Sequence, residues 1–280
     1  MREKGTKEKK PPSIYFGGAA WGSAFYVGVH RAMVERWGPN FMEEMIVCGD
    51  SAGVFWALGI SLKKSPDELE RIYLSQVVQA RKEGVWFGKS FDYLDESMRI
   101  LLDDPDAFRR LEGKFSTATT EFPFKHKRYW SWKSNDDLTS CMHGSLHIPI
   151  YTSCHKRHFN GRSVIDGAYS MSGNDLPHQN DTLFIGIDPH ADITRTLTLA
   201  QMVYPPNDAQ YQEFVRDGYE EMMKWDGTMK PKVGFRFPNY QALLIFWPLK
   251  VLAKLIRIIY LLLTPLLTVF TIRGEAPVCH

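Results

Sequence analysis

Cysteine is scarce in this chain, net charge is close to nil, and no charge-free apolar run is long enough for a straight membrane crossing. The 280 residues include four cysteines, Cys48, Cys141, Cys154 and Cys279, with no framework spacing among them. With no apolar segment near Met1 either, the sequence argues against a secreted disulfide scaffold and for the cytosolic side of the cell. The formal net charge of +2 provides no global field for nucleic acid, so no nucleic-acid partner is expected. Cys154-His155 with His158, and Cys141 with His143, match no closed zinc spacing, so no metal and no cofactor is expected. Trp130 and Trp132 beside Lys and Arg read as a partly buried strand rather than a base-stacking platform.

What the chain does contain is a serine in an unusual setting. The apolar run Ile46-Val47-Cys48 ends in Gly49-Asp50-Ser51-Ala52-Gly53, and the helix-compatible stretch Val54–Ile60 follows. A serine on such a strand-to-helix turn projects its hydroxyl outward at the N-terminus of the next helix. Gly49 and Gly53, lacking Cβ, let strand and helix cross closely on either side. A plain glycine-rich turn with a capping serine is the competing reading.

Strands alternate with helices around this turn. Ser13–Phe16 reads as a first strand running into Gly17-Gly18-Ala19-Ala20-Trp21-Gly22. A helix with Phe25, Val29, Ala32, Met33 and Trp37 on its buried side follows, stopped by Gly38-Pro39. Ser65-Pro66-Asp67-Glu68 opens another helix with a capping box. Phe91–Leu102 reads as a helix, and Phe115–Ile165 as strands and loops. Asn160-Gly161 is placed in a hairpin turn between strands Tyr151–Ser153 and Ser163–Ile165. Leu183–Ile187 is a further strand, and Tyr211, Phe214, Val215, Tyr219 and Met222 stripe a last helix. This order predicts an α/β layered fold with a largely parallel sheet.

A serine alcohol needs a base. Asp166, in Val164-Ile165-Asp166-Gly167-Ala168, ends a second apolar strand, although an Asx turn closing that strand is the plainer explanation for it alone. Gly17-Gly18-Ala19, between strand and helix, supplies amides for a developing oxyanion. A histidine triad would draw on His178 or His190, both after Asp166, but only about fifty residues precede Ser51. That is too few for the strands an α/β-hydrolase places before its nucleophile, so a Ser51–Asp166 dyad is favoured.

Gly17–Gly22, Gly49-Asp50-Ser51-Ala52-Gly53 and Asp166-Gly167-Ala168, in this order, resemble the patatin-like phospholipase family. Pro205-Pro206 followed by Asp217-Gly218-Tyr219 is more similar to its adipose triglyceride lipase and adiponutrin subgroup. The resemblance implies a three-layer α/β/α fold and a serine carboxylic-ester hydrolase. Ser51 would be its nucleophile, Asp166 its base, and Gly17, Gly18 and Ala19 its oxyanion hole, with Gly22, Gly49, Gly53 and Gly167 supporting the motifs. Its substrates would be acylglycerols or phospholipids. The family usually has glycine where Ala19 stands, and alanine disfavours positive φ. Alternative roles are a lipid-surface scaffold or an acyltransferase with little hydrolysis.

Three regions are expected: residues 1–12 as a basic disordered arm, 13–227 as the catalytic domain, and 228–280 as a linker and a hydrophobic helical tail. Met1–Lys10 has five Lys/Arg against two Glu. In the tail, Lys250, Lys254 and Arg257 repeat at helical spacing while Trp247 and aliphatic residues occupy most of the rest. That is the pattern of a helix lying in a membrane or lipid-droplet interface, with a single span made by snorkelling the cations as the alternative. The charge-free stretch Ile258–Ile272 would span only about 22 Å as a helix, short of a roughly 30 Å hydrocarbon core, and Pro265 interrupts it.

Overall fold

In the computed structural model, residues 10–83, 88–149, 151–153 and 155–232 are described. The chain divides into two units, 1–237 and 238–280, and all described residues belong to the first. Trp247, Lys250, Lys254 and Arg257 of the expected tail lie outside the described residues, as do Cys154, Cys279 and nearly all of the basic arm. Among the described residues, no helix is long and apolar enough to cross a membrane.

The first half of the unit runs β1 (Ser13–Phe16), α1 (Phe25–Trp37), β2 (Ile46–Gly49), α2 (Gly53–Ser61), α3 (Pro66–Glu83), α4 (Ser90–Leu101) and the short α5 (Ala107–Arg110). There follow β3 (Phe115–Glu121), β4 (Lys125–Tyr129), α6 (Asn135–Ser145), β5 (Arg157–Phe159) and β6 (Arg162–Asp166). The unit closes with β7 (Thr182–Gly186), β8 (Ile193–Thr194), α7 (Leu199–Val203) and α8 (Asp208–Lys224). One mixed sheet has the order β5-β6-β3-β2-β1-β7-β8, with β4 also paired to β3. The pairs β3–β2, β2–β1, β1–β7 and β7–β8 are parallel, whereas β4 and β6 run antiparallel to β3.

Strand alternation sorts the side chains between two faces. Ile14, Phe16, Val47, Leu183 and Ile185 join the main core with residues of α1, α2, α3, α4, α6 and α8. Tyr15, Cys48 and Phe184, one residue out of step, join Met171, Leu176 and Ala191 in a smaller cluster. The layer on that second side is thin among the described residues, with the 3₁₀ turns Gly167–Ser170, Gly173–Asp175 and Gln179–Asp181 around it. The helix α2 is apolar on every side and buried from Gly53 to Ile60, which makes it the central helix of the main core. Helices α1 and α8 cross closely because a Cβ at Gly28 would lie 1.8 Å from Val215 O and one at Gly218 would lie 2.0 Å from Phe25 O.

The predicted first strand, the elbow strand and the helix opening at Pro66 stand where the sequence puts them. The hairpin turn at Asn160-Gly161 is present, with φ of 48° and 73°. Its first arm is Arg157–Phe159 rather than Tyr151–Ser153. A two-residue turn fixes the register, so Phe159 must face Arg162. The structure also adds α6 inside the segment read as strands and loops, capped by Ser134 accepting from Asp137 N.

Beyond α8, residues 226–232 stay against the body. Lys232 Nζ sits 2.7 Å from both oxygens of Asp192, and the two side chains are almost wholly buried. Asp192 also accepts from Phe184 N and Lys230 N, which ties this segment to the β7–β8 edge of the sheet.

Candidate active site

Ser51 directly follows β2 and Asp50, with φ of 54°, in the left-handed region that costs a non-glycine residue roughly 1–2 kcal/mol. The surroundings enforce this strain. A Cβ at Gly49 would lie 2.4 Å from Gly53 O, and one at Gly53 would lie 2.1 Å from Phe16 O. Only glycine on both sides lets α2 start so close to β1 and β2. The Ser51 amide donates to Ser145 Oγ at 3.3 Å, and Thr117 Oγ1 donates to the same oxygen at 2.9 Å. Ser51 is buried, yet its side chain borders a cavity.

Asp50, the residue before the nucleophile candidate, anchors the turn from the other side of the sheet. It has no solvent exposure and accepts from Ala118 N at 2.8 Å, Arg128 Nη2 at 2.9 Å and Tyr15 Oη at 3.2 Å. Arg128, 8% exposed, also donates to Ser116 Oγ and to the Asp175 carbonyl. Its guanidinium lies 5.8 Å from the Tyr15 ring centroid. A buried carboxylate is tolerated only with such compensation. Sequence reading gave Arg128, Tyr15 and Ser145 no part in the site, because their link to Ser51 exists only after β2, β3 and β4 have paired.

Asp166 ends β6, opposite Thr119 of β3, while Gly49 of β2 lies opposite Thr117 of the same strand. Serine and acid therefore meet at one sheet edge although 115 residues separate them. Asp166 Oδ1 accepts from Ala168 N at 2.9 Å. Oδ2 has no fully formed hydrogen bond among the described residues, but the Ser51 hydroxyl is near enough to lower the acid's pKa. Burial dominates and pushes that pKa up to about 7, against the pull of Ser51 and the Ala168 amide, with the Asp50 charge adding to the rise. A carboxylate poised near neutrality beside a serine hydroxyl suits proton acceptance.

The glycine loop fits its expected role only in part. Gly17 N is already committed to Ile185 O at 2.8 Å, as an extension of the β1–β7 ladder, and so is not free to face an oxyanion. Gly18 lies against the serine: a Cβ there would sit 3.0 Å from Ser51 Cβ and 3.3 Å from Oγ. The amides of Gly18 and Ala19 donate to no carbonyl among the described residues. Ala19 has φ of −146°, so no left-handed backbone is demanded of it, and the positive φ of the loop falls on Ala20 at 46°. Gly22 packs against Leu197 and Gly167 against the Ala118 carbonyl, so both support the fold rather than face the serine.

Beside Ser51 opens a cavity of about 100 Å³ lined by Trp21, Phe55, Tyr73, Phe91, Leu94 and Ile148, among others. Pockets enclosing a whole small-molecule ligand run roughly 300–1,000 Å³, so this one suits a single narrow apolar arm. The two candidate triad histidines have partners other than Ser51. His178 Nδ1 lies 3.0 Å from Ser13 Oγ, at the opposite end of β1 from the elbow. His190 is exposed in the β7–β8 connection with Nδ1 2.8 Å from Asp188 Oδ1. Among the described residues no cluster of His, Cys, Asp and Glu could hold a metal ion.

No protein-family model matches the chain, and no curated protein matches it either. Among solved structures it is similar to VipD from Legionella pneumophila, with a TM-score of 0.45 and 11% sequence identity over 78% of this chain and 67% of that one. That similarity is slight, and the reading of the site rests on its own geometry.

Proposed function

We propose that the chain is a serine acyl hydrolase acting on fatty-acyl esters through a Ser51–Asp166 dyad. The observation that carries this reading is the strained Ser51 set against a buried acid of raised pKa at the mouth of an apolar cavity. Ser51 Oγ attacks the ester carbonyl and passes its proton to Asp166. The Gly18 and Ala19 amides, without Gly17, receive the charge that develops on the carbonyl oxygen. The alcohol leaves with the proton, and water activated by Asp166 then releases the fatty acid from Ser51. One acyl chain lies along the cavity lined by Phe55 and Leu94. The motif resemblance to patatin-like phospholipases, and the interfacial pattern around Trp247, Lys250, Lys254 and Arg257, support a lipid substrate at a membrane or droplet surface.

Ala19 would favour the lipid-surface scaffold only if its backbone needed glycine, and a φ of −146° makes no such demand. A fluorophosphonate probe tests the proposal directly: wild type is labelled at Ser51, and Ser51→Ala is not. Purified protein given triacylglycerol and phospholipid side by side should release fatty acid from at least one. Absence of both labelling and release would end the hydrolase reading.

A further inference from the structure

The turn between β3 and β4, Phe122-Pro123-Phe124, carries two large apolar side chains in the open. Phe122 is 71% exposed and Phe124 38%, with ring centroids 6.3 Å apart. Their location follows from register. Thr117 of β3 lies opposite Gly49, and β3 runs parallel to β2, so Phe122 stands five residues beyond the level of the elbow strand's end. At about 3.3 Å per residue that is roughly 17 Å, out past the same sheet edge that presents Ser51. The β5–β6 hairpin reaches out beside it. Phe122 N donates to Ser163 O at 3.0 Å, which sets the Asn160-Gly161-Arg162 tip next to the phenylalanines.

Charge around these two tips is one-sided. Lys125, Lys127 and Arg162 are exposed and have no carboxylate partner among the described residues. The nearby acid, Glu121, accepts from Tyr129 Oη at 2.9 Å and faces Lys125 across the ladder. Scattered exposed apolar residues are ordinary. Two aromatics paired at a protruding tip, rimmed by unpaired cations and sharing an edge with the candidate nucleophile, are not scattered. Aromatic rings suit the acyl boundary, and cations of this kind suit anionic headgroups.

We infer that the β3–β4 tip is a docking wedge for an anionic lipid surface, with Phe122 and Phe124 entering the acyl boundary and Lys125, Lys127 and Arg162 meeting the headgroups. This deepens the acyl-hydrolase reading, because it turns the Ser51 edge toward the lipid. The insertion itself needs no catalysis and stands or falls separately.

The test uses the full chain carrying Ser51→Ala, Cys154→Ser and Cys279→Ser, which leaves the buried Cys48 and Cys141. Phe122→Cys is added and labelled with the polarity-sensitive nitrobenzoxadiazole fluorophore. A parallel protein carries the label at Glu112→Cys, on the exposed turn before β3 at the other end of that strand. With vesicles of phosphatidylcholine and phosphatidylserine, emission at 122 should rise several-fold and shift to the blue. It should change little with phosphatidylcholine alone or at high salt, and emission at 112 should not change. A silent 122 label, or equal rises at 122 and 112, overturns the proposal; the first result would leave the tip to a protein partner. Equal response to neutral vesicles would remove the headgroup half of the claim. In the active protein, Phe122→Ser with Phe124→Ser should slow hydrolysis of a vesicle-borne ester about tenfold, the equivalent of roughly 1.4 kcal/mol. Hydrolysis of a soluble short-chain ester should be unchanged, and equal loss on both substrates would contradict docking.

Discussion

Two carboxylates flank the candidate nucleophile at the same sheet edge, and their surroundings could hardly differ more. Asp50 is held by a guanidinium, a phenol and a backbone amide. Asp166 is equally buried but has one backbone donor and an adjacent serine hydroxyl, with no cation. The first is compensated so fully that it can only anchor. The second is left short of partners, and burial raises it to about 7. Paired acids in unequal environments can divide the labour of a site, and the one short of hydrogen bonds is the better suited to exchange protons.

The largest expected effect comes from removing the starved acid. Asp166→Asn should lower kcat/KM by about 10³-fold or more, read as fatty-acid release. The same change should stabilise the protein. The folded pKa lies above the unfolded value, so the stability contributed by Asp166 is present at low pH and is lost as pH rises through about 7. Asparagine carries no such loss, so above pH 7 the variant should be more stable than wild type by about a few kcal/mol at most, and should unfold at higher temperature. An inactive variant that is also less stable at pH 8 would break the contrast.

Next in size is the compensated acid. Arg128→Met leaves Asp50 buried without its cation and should cost about 3–5 kcal/mol in denaturant unfolding. Combining it with Asp50→Asn should recover part of that loss; a fully additive double variant would mean the two are not acting as a pair. A subtler effect appears in the pH profile of kcat/KM, whose acid limb should rise through about pH 7. Asp50 raises the pKa of Asp166, so Asp50→Asn should move that limb toward lower pH, and an unmoved limb would uncouple the two acids. The smallest effect concerns the serine between them. Ser51→Gly should be about 1 kcal/mol more stable than Ser51→Ala, because only glycine adopts φ of 54° without cost.

The elbow and the acid were legible because each is a local pattern: an apolar strand, a glycine and a polar residue. Gly49 and Gly53 report a close approach that any strand-to-helix turn of this kind demands. The roles of Arg128 and Ser145 were not legible, since β-pairing alone brings Arg128 to Asp50 and α6 to Ser51. Helix α6 itself escaped because Asn, Asp, Thr, Ser and Gly fill it, residues of weak helix propensity that tertiary packing of Leu138, Cys141 and Met142 overrides. The Gly17 amide illustrates a related limit. A sequence shows that an amide exists at the end of β1, but whether the neighbouring strand has already taken it depends on β7, nearly 170 residues later.

The Lys232–Asp192 clip has a mechanical consequence. Tension arriving along the chain from residue 233 onward meets a buried ion pair fastened to β7 and β8, at the edge of the sheet three strands away from β2. Such load therefore enters the sheet at its β7–β8 edge, beside the strand β1 that leads into the glycine loop.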